Sequence, residues 1–278
     1  FGEARSDFEV FTGLAEKMGL DQEFTEGRDE LQWVERIYNV TRDNATAEGV
    51  ELPDFETFWQ GEQISVEQQL PDAEYTLEKF RRDPEKYPLD TPSGKIEIFS
   101  AEIESFGYDD CRGHPRWYEH TEWLGGERAL RYPLHLISNQ PRTKLHSQYD
   151  HASTSRQRKI KNRERARLNP ADAAARGIAE GDIVKVYNDR GACLAGVEIS
   201  DDLRRSIMEL PTGAWYDPQV VDGQQLEVHG NPNVLTPDRG TSSLAQGCSG
   251  HSCLVQVEKY EGELPEVLVF SQPPTTAG

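Results

Sequence analysis

Leu134-His-Leu-Ile-Ser-Asn-Gln-Pro-Arg-Thr-Lys-Leu-His-Ser-Gln148 opens as a short, apolar-rich strand and breaks into a loop crowded with hydrogen-bonding side chains. Loops that only reverse the chain rely on Gly, Asn, Asp and Pro. This one brings together Ser138, Asn139, Gln140, Arg142, Thr143, Lys144, His146, Ser147 and Gln148. Amide, hydroxyl, imidazole and cationic groups in one loop suit a large polar ligand that carries phosphate. From the residues alone, a solvated polar loop is an equal alternative.

From Tyr132 onward, short strands alternate with turns. The clearest are Leu134–Ile137, Ile183–Tyr187, Cys193–Ile199, Ser206–Leu210 and Leu254–Val257. Asn169-Pro170 starts a helical turn, with Asn as N-cap and Pro at the first helical position, and Gly177 stops it. Gly181-Asp182 and Asp189-Arg190-Gly191 are turns between strands. A compact, mainly β domain is expected over 128–278.

Upstream the pattern is helical. Ser6-Asp7-Phe8-Glu9 has capping-box spacing, and Phe8, Phe11, Leu14, Ala15 and Met18 lie on one face of a helix that Gly19 can close. A second helix is expected over Asp29–Tyr38, with Leu31, Val34, Ile37 and Tyr38 inward. Both faces need a partner surface. Prolines then punctuate short helical pieces, Asp54–Trp59 and Glu74–Phe80. Thr91-Pro92-Ser93-Gly94 is a turn, Lys95–Phe99 alternates like a half-buried strand, and Ser100 caps a short helix through Ile103. Residues 107–128, rich in Gly, Pro and aromatics, resemble a linker or surface loop. The fold class expected is α+β, with an α-rich segment over 1–127 that belongs to a larger domain.

The formal net charge of −19, from 49 acidic against 30 basic residues, argues against general binding to nucleic acid or anionic membranes. No apolar run approaches the ~20 residues of a membrane span, so no membrane insertion is expected. Four cysteines (Cys111, Cys193, Cys248 and Cys253) do not make a disulfide scaffold, and the spacing of the last two fits no zinc site. They read as buried, unpaired thiols, and no metal is assigned to them. Arg156–Arg167 holds seven basic residues with one acid. It reads as a surface segment near a ligand mouth, in preference to a nucleic-acid arm, because no aromatic interleaves it.

Pro133–Pro141 and Leu145–Gln148, the helix–turn–strand Asn169–Gly191, and then Gly213–Pro218, Gly230–Thr236, Gly240–Gln246 and Leu254–Tyr260 occur in an order that resembles the C-terminal domain of molybdopterin oxidoreductases of the dimethyl sulfoxide reductase family. Within it the likeness is to the trimethylamine N-oxide, dimethyl sulfoxide and biotin sulfoxide reductases. The resemblance implies a six-stranded double-psi β-barrel over about 130–262 and a bis(molybdopterin guanine dinucleotide) molybdenum cofactor. It further implies an S-oxide or N-oxide substrate, the N-terminal remainder of the same enzyme as partner, a c-type cytochrome as electron donor and a periplasmic location, with the cytoplasm as alternative. The serine that ligates molybdenum in these reductases has no counterpart here, so the chain alone is expected to be inactive. A formate dehydrogenase or nitrate reductase relative, or a non-catalytic barrel used as a binding module, are the alternative readings.

On this resemblance the cofactor-binding residues are Ser138, Asn139, Gln140, Lys144, His146, Ser147, Gln148, Asn233, Thr236 and Gln246. Asn231-Pro232-Asn233 forms a tight turn able to present an amide into a cleft, while Thr236 and Gln246 are weaker candidates. No catalytic residue is assigned. His146 reads as a hydrogen-bond donor, since no second ligand stands at metal spacing. Trp215 and Tyr216 read as barrel-edge packing in preference to a substrate-funnel role.

Overall fold

The computed structural model describes residues 3–61, 63–66, 69 and 75–272. By compactness the chain divides into residues 1–96 and 97–278.

The first unit is helical. Helix α1 (Asp7–Met18) begins at the expected capping box, Ser6 and Glu9 each satisfying the other's backbone N–H, and ends at left-handed Gly19. A short helix α2 (Asp21–Thr25) follows. Helix α3 runs Glu30–Ala47, past the expected end at Tyr38, because Val40 to Ala47 contains no residue that breaks a helix; Asp29 and Gln32 form its capping box. Helix α4 (Phe55–Gln60) is capped by Asp54. Helix α5 covers Glu78–Arg82, and Glu74, where that piece was expected to begin, lies outside the described residues. Of the apolar face expected to be inward, only Ala15 and Tyr38 are buried, while Phe11, Met18 and Ile37 are exposed by 54%, 63% and 61%. The turn at Thr91–Gly94 forms, with the Gly94 amide donating to the Thr91 carbonyl. Lys95–Phe99, however, pairs with no strand, and Ile96 and Ile98 face solvent. An alternating pattern specifies a strand only where a neighbouring edge accepts it.

In the second unit, helix α6 (Ala101–Ser105) is capped by Ser100 as expected. The 107–128 segment is not a free linker. Glu122 is buried, takes both guanidinium nitrogens of Arg190 and accepts the Leu254 amide at 2.9 Å, which pins the segment to the barrel.

The barrel strands are β1 (Leu134–Ile137), β2 (Arg165–Leu168), β3 (Ile183–Tyr187), β4 (Ala192–Ile199), β5 (Ile207–Glu209) and β8 (Leu254–Lys259). They pair in the ring β2-β5-β1-β8-β3-β4 and back to β2, a closed six-stranded mixed barrel. The pairs β1–β5 and β2–β4 are parallel, and the others in the ring are antiparallel. A hairpin, β6 (Pro218–Val221) and β7 (Gln224–Glu227), joins the flank of β4 through Cys193 and Glu227. Helices α7 (Ser153–Arg156) and α8 (Pro170–Ala174) sit in the connections, α8 capped by Asn169.

The interior is filled by Leu134, Leu136, Leu168, Val184, Val186, Val197, Met208, Leu210 and Val255, all essentially inaccessible. Each such side chain contributes roughly 1.5–3 kcal/mol by leaving water. Strand β4 is buried on both faces: Cys193, Ala195 and Val197 face the interior, while Leu194 packs with Ile183, Leu226 and Val228 beneath the hairpin. This accounts for its continuous apolar run.

The basic run departs from expectation. Its second half is not a surface segment, since Arg165–Leu168 is a barrel strand. Lys159 and Arg163 are withdrawn from solvent, and Arg165 and Arg167 pair with Glu198, with Arg167 also reaching Asp202 and Glu209. Alternating arginines read as a cationic patch in one dimension; across neighbouring strands they meet carboxylates. All four cysteines are free, Cys193 and Cys253 buried as expected, but Cys248 is exposed and Cys111 partly so.

Candidate functional site

The pairing directions place every long connection of interest at one end of the barrel. Strands β1, β3 and β5 finish there, and β2, β4 and β8 start there. Residues 138–164, 188–191, 210–217 and 228–253 therefore converge. The 138 and 210 loops leave side by side, the Leu210 amide donating to the Ile137 carbonyl and the Thr212 amide to the Asn139 carbonyl.

Three concavities open at this end. The first, about 450 Å³, is lined by Asn139, Gln140, Arg142, Thr143, Arg158 and Lys144, among others. Asn139 Oδ1 is buried without a hydrogen-bond partner among the described residues. Arg142 and Arg158 are exposed at its edge and form no ion pair among the described residues. The second, about 440 Å³, is bounded by His146, Ser147, Thr212–Tyr216, Asn231 and Asn233. The 146 and 213 loops touch so closely that a Cβ on Gly213 would lie 1.7 Å from the His146 carbonyl oxygen, and Gly213 has φ +91°. Only glycine fits there. The third, about 900 Å³, includes Arg116, Arg128, Arg190, Arg239, His251 and Gln246.

The expected site residues are thus shared among adjacent hollows. Asn139, Gln140 and Lys144 line the first, His146, Ser147 and Asn233 the second, and Gln246 the third. Ser138, Gln148 and Thr236 line none of these three. Gln148 closes a small bridge with Leu145, and Thr236 donates its hydroxyl to the Asn233 carbonyl at 3.4 Å. Gln140 Nε2 donates to the Lys144 carbonyl at 2.6 Å, and Gln246 Nε2 to the Ser242 carbonyl at 3.3 Å.

Lys144 points inward. Its ammonium lies 3.1 Å from Asp150 Oδ1 and 2.5 Å from Glu164 Oε2, and Lys159 meets the same two oxygens at 2.9 Å each. Two cations and two carboxylates form a buried, neutral cluster between the first two hollows. Burial alone would raise the Asp150 and Glu164 carboxyls, but the ammoniums of Lys159 and Lys144 outweigh it and hold both below the ordinary carboxylate range. Trp215 and Tyr216 do line the second hollow. Trp215 also closes onto the cluster: its amide donates to Asp150 Oδ2 at 3.0 Å and its indole N–H to the Ser147 carbonyl at 2.8 Å. His229 Nδ1 lies 2.8 Å from the Trp215 carbonyl, so it carries the proton, and His229 Nε2 is buried without a partner among the described residues. Burial, reinforced by the Lys159 charge, pushes the imidazole down to about 4. Beside it, Glu227 accepts the amides of Asp217, His229, Gly230 and Asn231, which shapes the turn that carries Asn233.

Sequence reasoning did not single out Asp150, Lys159, Glu164, His229 or Arg158. Glu164, the one acid inside a basic run, was the available signal.

The sequence that builds this barrel matches a known class. Residues 134–254 match the family "Molydopterin dinucleotide binding domain". The chain is 47% identical over 264 residues to a biotin sulfoxide reductase of Cereibacter sphaeroides, covering 94% of this chain and 34% of that protein. It is 42% identical to a trimethylamine-N-oxide reductase of Haemophilus influenzae, with 99% and 34% covered. A dimethyl sulfoxide/trimethylamine N-oxide reductase of C. sphaeroides shares 45%, with 98% and 33% covered. The acetylene hydratase of Pelobacter acetylenicus superposes with a TM-score of 0.64 over 93% of this chain at 22% identity, a likeness of fold. Residues 134–254 thus match the dinucleotide binding domain, and over nearly its whole length the chain is similar to one part of these S-oxide and N-oxide reductases. It spans about a third of the length of the curated relatives it matches.

Proposed function

We propose that this chain is the dinucleotide-holding part of a molybdenum-dependent reductase that removes oxygen from an S-oxide or N-oxide. The observation that carries the reading is the hollow lined by Asn139, whose buried Oδ1 has no hydrogen-bond partner among the described residues, and by Arg142 and Arg158, which form no ion pair among them. Guanine and pterin present N–H donors, and a pyrophosphate asks for guanidinium groups. The donor set therefore fits a molybdopterin guanine dinucleotide. Asn139, Gln140, Arg142 and Arg158 would hold one portion, and His146, Ser147 and Asn233 another. Lys144 serves from beneath, since its ammonium is already engaged by two carboxylates.

When bound, the group supplies the two-electron chemistry of oxygen removal; binding and orientation fall to the protein. No described helix is long and apolar enough to cross a membrane. Periplasmic residence and a c-type cytochrome donor complete the proposal, and fractionation and reduction assays with purified cytochrome check them. The decisive experiment purifies the full-length enzyme, measures its molybdenum and guanine content, and assays dye-coupled reduction of biotin sulfoxide, dimethyl sulfoxide and trimethylamine N-oxide. Absence of guanine nucleotide, or turnover of formate or nitrate in their place, would refute it.

A further inference from the structure

We propose that Trp215 is a positioning residue of the dinucleotide site, coupling the buried Lys144–Asp150–Lys159–Glu164 cluster to the His146–Ser147 rim. The inference rests on the reading of the site above and adds how that rim is held in shape.

The rim needs support. His146 has φ +51° and Tyr149 φ +65°, both in the left-handed region. That conformation costs a side-chain-bearing residue about 1 kcal/mol or more. The local bonds are few: Gln148 and Leu145 exchange amide and carbonyl at 2.9 and 3.3 Å, and the Asp150 amide reaches the Ser147 carbonyl at 3.4 Å. Trp215 supplies the missing tie. Its indole N–H takes the Ser147 carbonyl, its amide takes Asp150, and its carbonyl meets His229. All three of its polar groups are thus engaged.

The far end of the tie is rigid. Asp150 is fixed by two lysines that also grip Glu164, immediately before β2, and the Glu164 amide donates to the His229 carbonyl at 2.8 Å. The indole ring stands 5.3 Å from His151 and 6.3 Å from Phe270, and Phe270 meets the His229 ring edge-on at 5.0 Å. Packing therefore fixes the ring plane and the N–H direction together. With the Gly213–His146 contact beside it, a displacement of the 212–216 loop carries the rim with it.

Trp215→Phe in the full-length enzyme separates the hydrogen bond from the packing, since the ring remains and the N–H is lost. Guanine nucleotide release should quicken about five- to tenfold, the worth of one neutral hydrogen bond. Exchange of the Gln148 and Asp150 amides should rise several-fold while the β3–β4 amides stay protected. A packing role alone leaves both at wild-type values and overturns the proposal, as does faster exchange with unchanged nucleotide release. Asn233→Ala serves as the control for the site itself. If it too releases nucleotide at the wild-type rate, the reading of the site falls; if it is fast and Trp215→Phe is not, only the role of Trp215 falls. One measurement does not depend on a variant folding. By reciprocity of coupling, stripping nucleotide from the wild type should raise exchange at the same two amides, and equal exchange with and without it counts against the proposal.

Discussion

His229 illustrates how much a single side chain takes from its surroundings. It is fully buried, donates from Nδ1 to the Trp215 carbonyl, and titrates near 4 because burial and Lys159 disfavour its charged form. A histidine whose folded pKa lies below the unfolded value of about 6.5 loses stability as pH falls from 6.5 toward 4, since the unfolded chain binds the proton first. The loss should reach roughly 3 kcal/mol by pH 4. His229→Asn retains an N–H for the carbonyl and cannot titrate, so its urea midpoint should vary less across that window. Lys144 makes the companion case. Lys144→Met leaves two buried carboxylates facing one lysine, and removing one partner of a buried ion pair costs about 3–5 kcal/mol. Unfolding curves should show the drop at low and high salt alike, because buried pairs are weakly screened.

Strand β2 and the turn before it show the same dependence at the level of elements. Ile160 and Arg163 close a two-residue turn in which Lys161 and Asn162 both take positive φ, and the turn drops Ile160 onto β4. A Cβ on Gly196 would lie 2.3 Å from the Ile160 Cβ. Gly196→Ala should therefore destabilise the protein by about 1–3 kcal/mol through overpacking. Ile160→Ala in the same chain should recover part of it, a coupling that a double-mutant cycle reads directly. Helices α1 and α3 were legible because capping boxes and 3.6-residue periodicity are local signals. Strand β2 was not, since Arg-Ala-Arg-Leu shows its alternation only once Glu198 and Glu209 stand opposite the arginines.

At the scale of the whole molecule, the two units differ in how well they bury their apolar surface. Residues 97–278 enclose a filled barrel, though Ile98, Trp117, Leu130 and Val220 stay exposed there. Among the described residues of 1–96, by contrast, only Ala15, Tyr38 and Val50 of the apolar side chains are buried, and Val10, Phe11, Leu14, Met18, Leu31, Ile37 and Trp59 are exposed. Contiguous exposed apolar surface favours association. Expressed alone, residues 1–96 should self-associate in light scattering, while residues 97–278 remain monomeric at the same concentration. Monomeric behaviour of the first piece would show that its apolar face needs no cover.

What the sequence determined by itself was the class. The polar loop after a short strand, the ordered run of turns and strands that follows, and the acidic balance were all readable, because each is a signal within a few residues or an order along the chain. The tertiary structure alone decided which polar side chains line a hollow. Lys144 reads as a cofactor contact in one dimension and is a buried tether in three, and Arg158 emerges from the basic run beside Asn139 with no ion pair among the described residues. The reason is that charge pairing and burial depend on partners brought close by ring closure of the barrel: Asp150, Lys159, Glu164, Trp215 and His229 are spread along the chain, with 65 positions between Asp150 and Trp215 alone, yet share one set of hydrogen bonds and ion pairs.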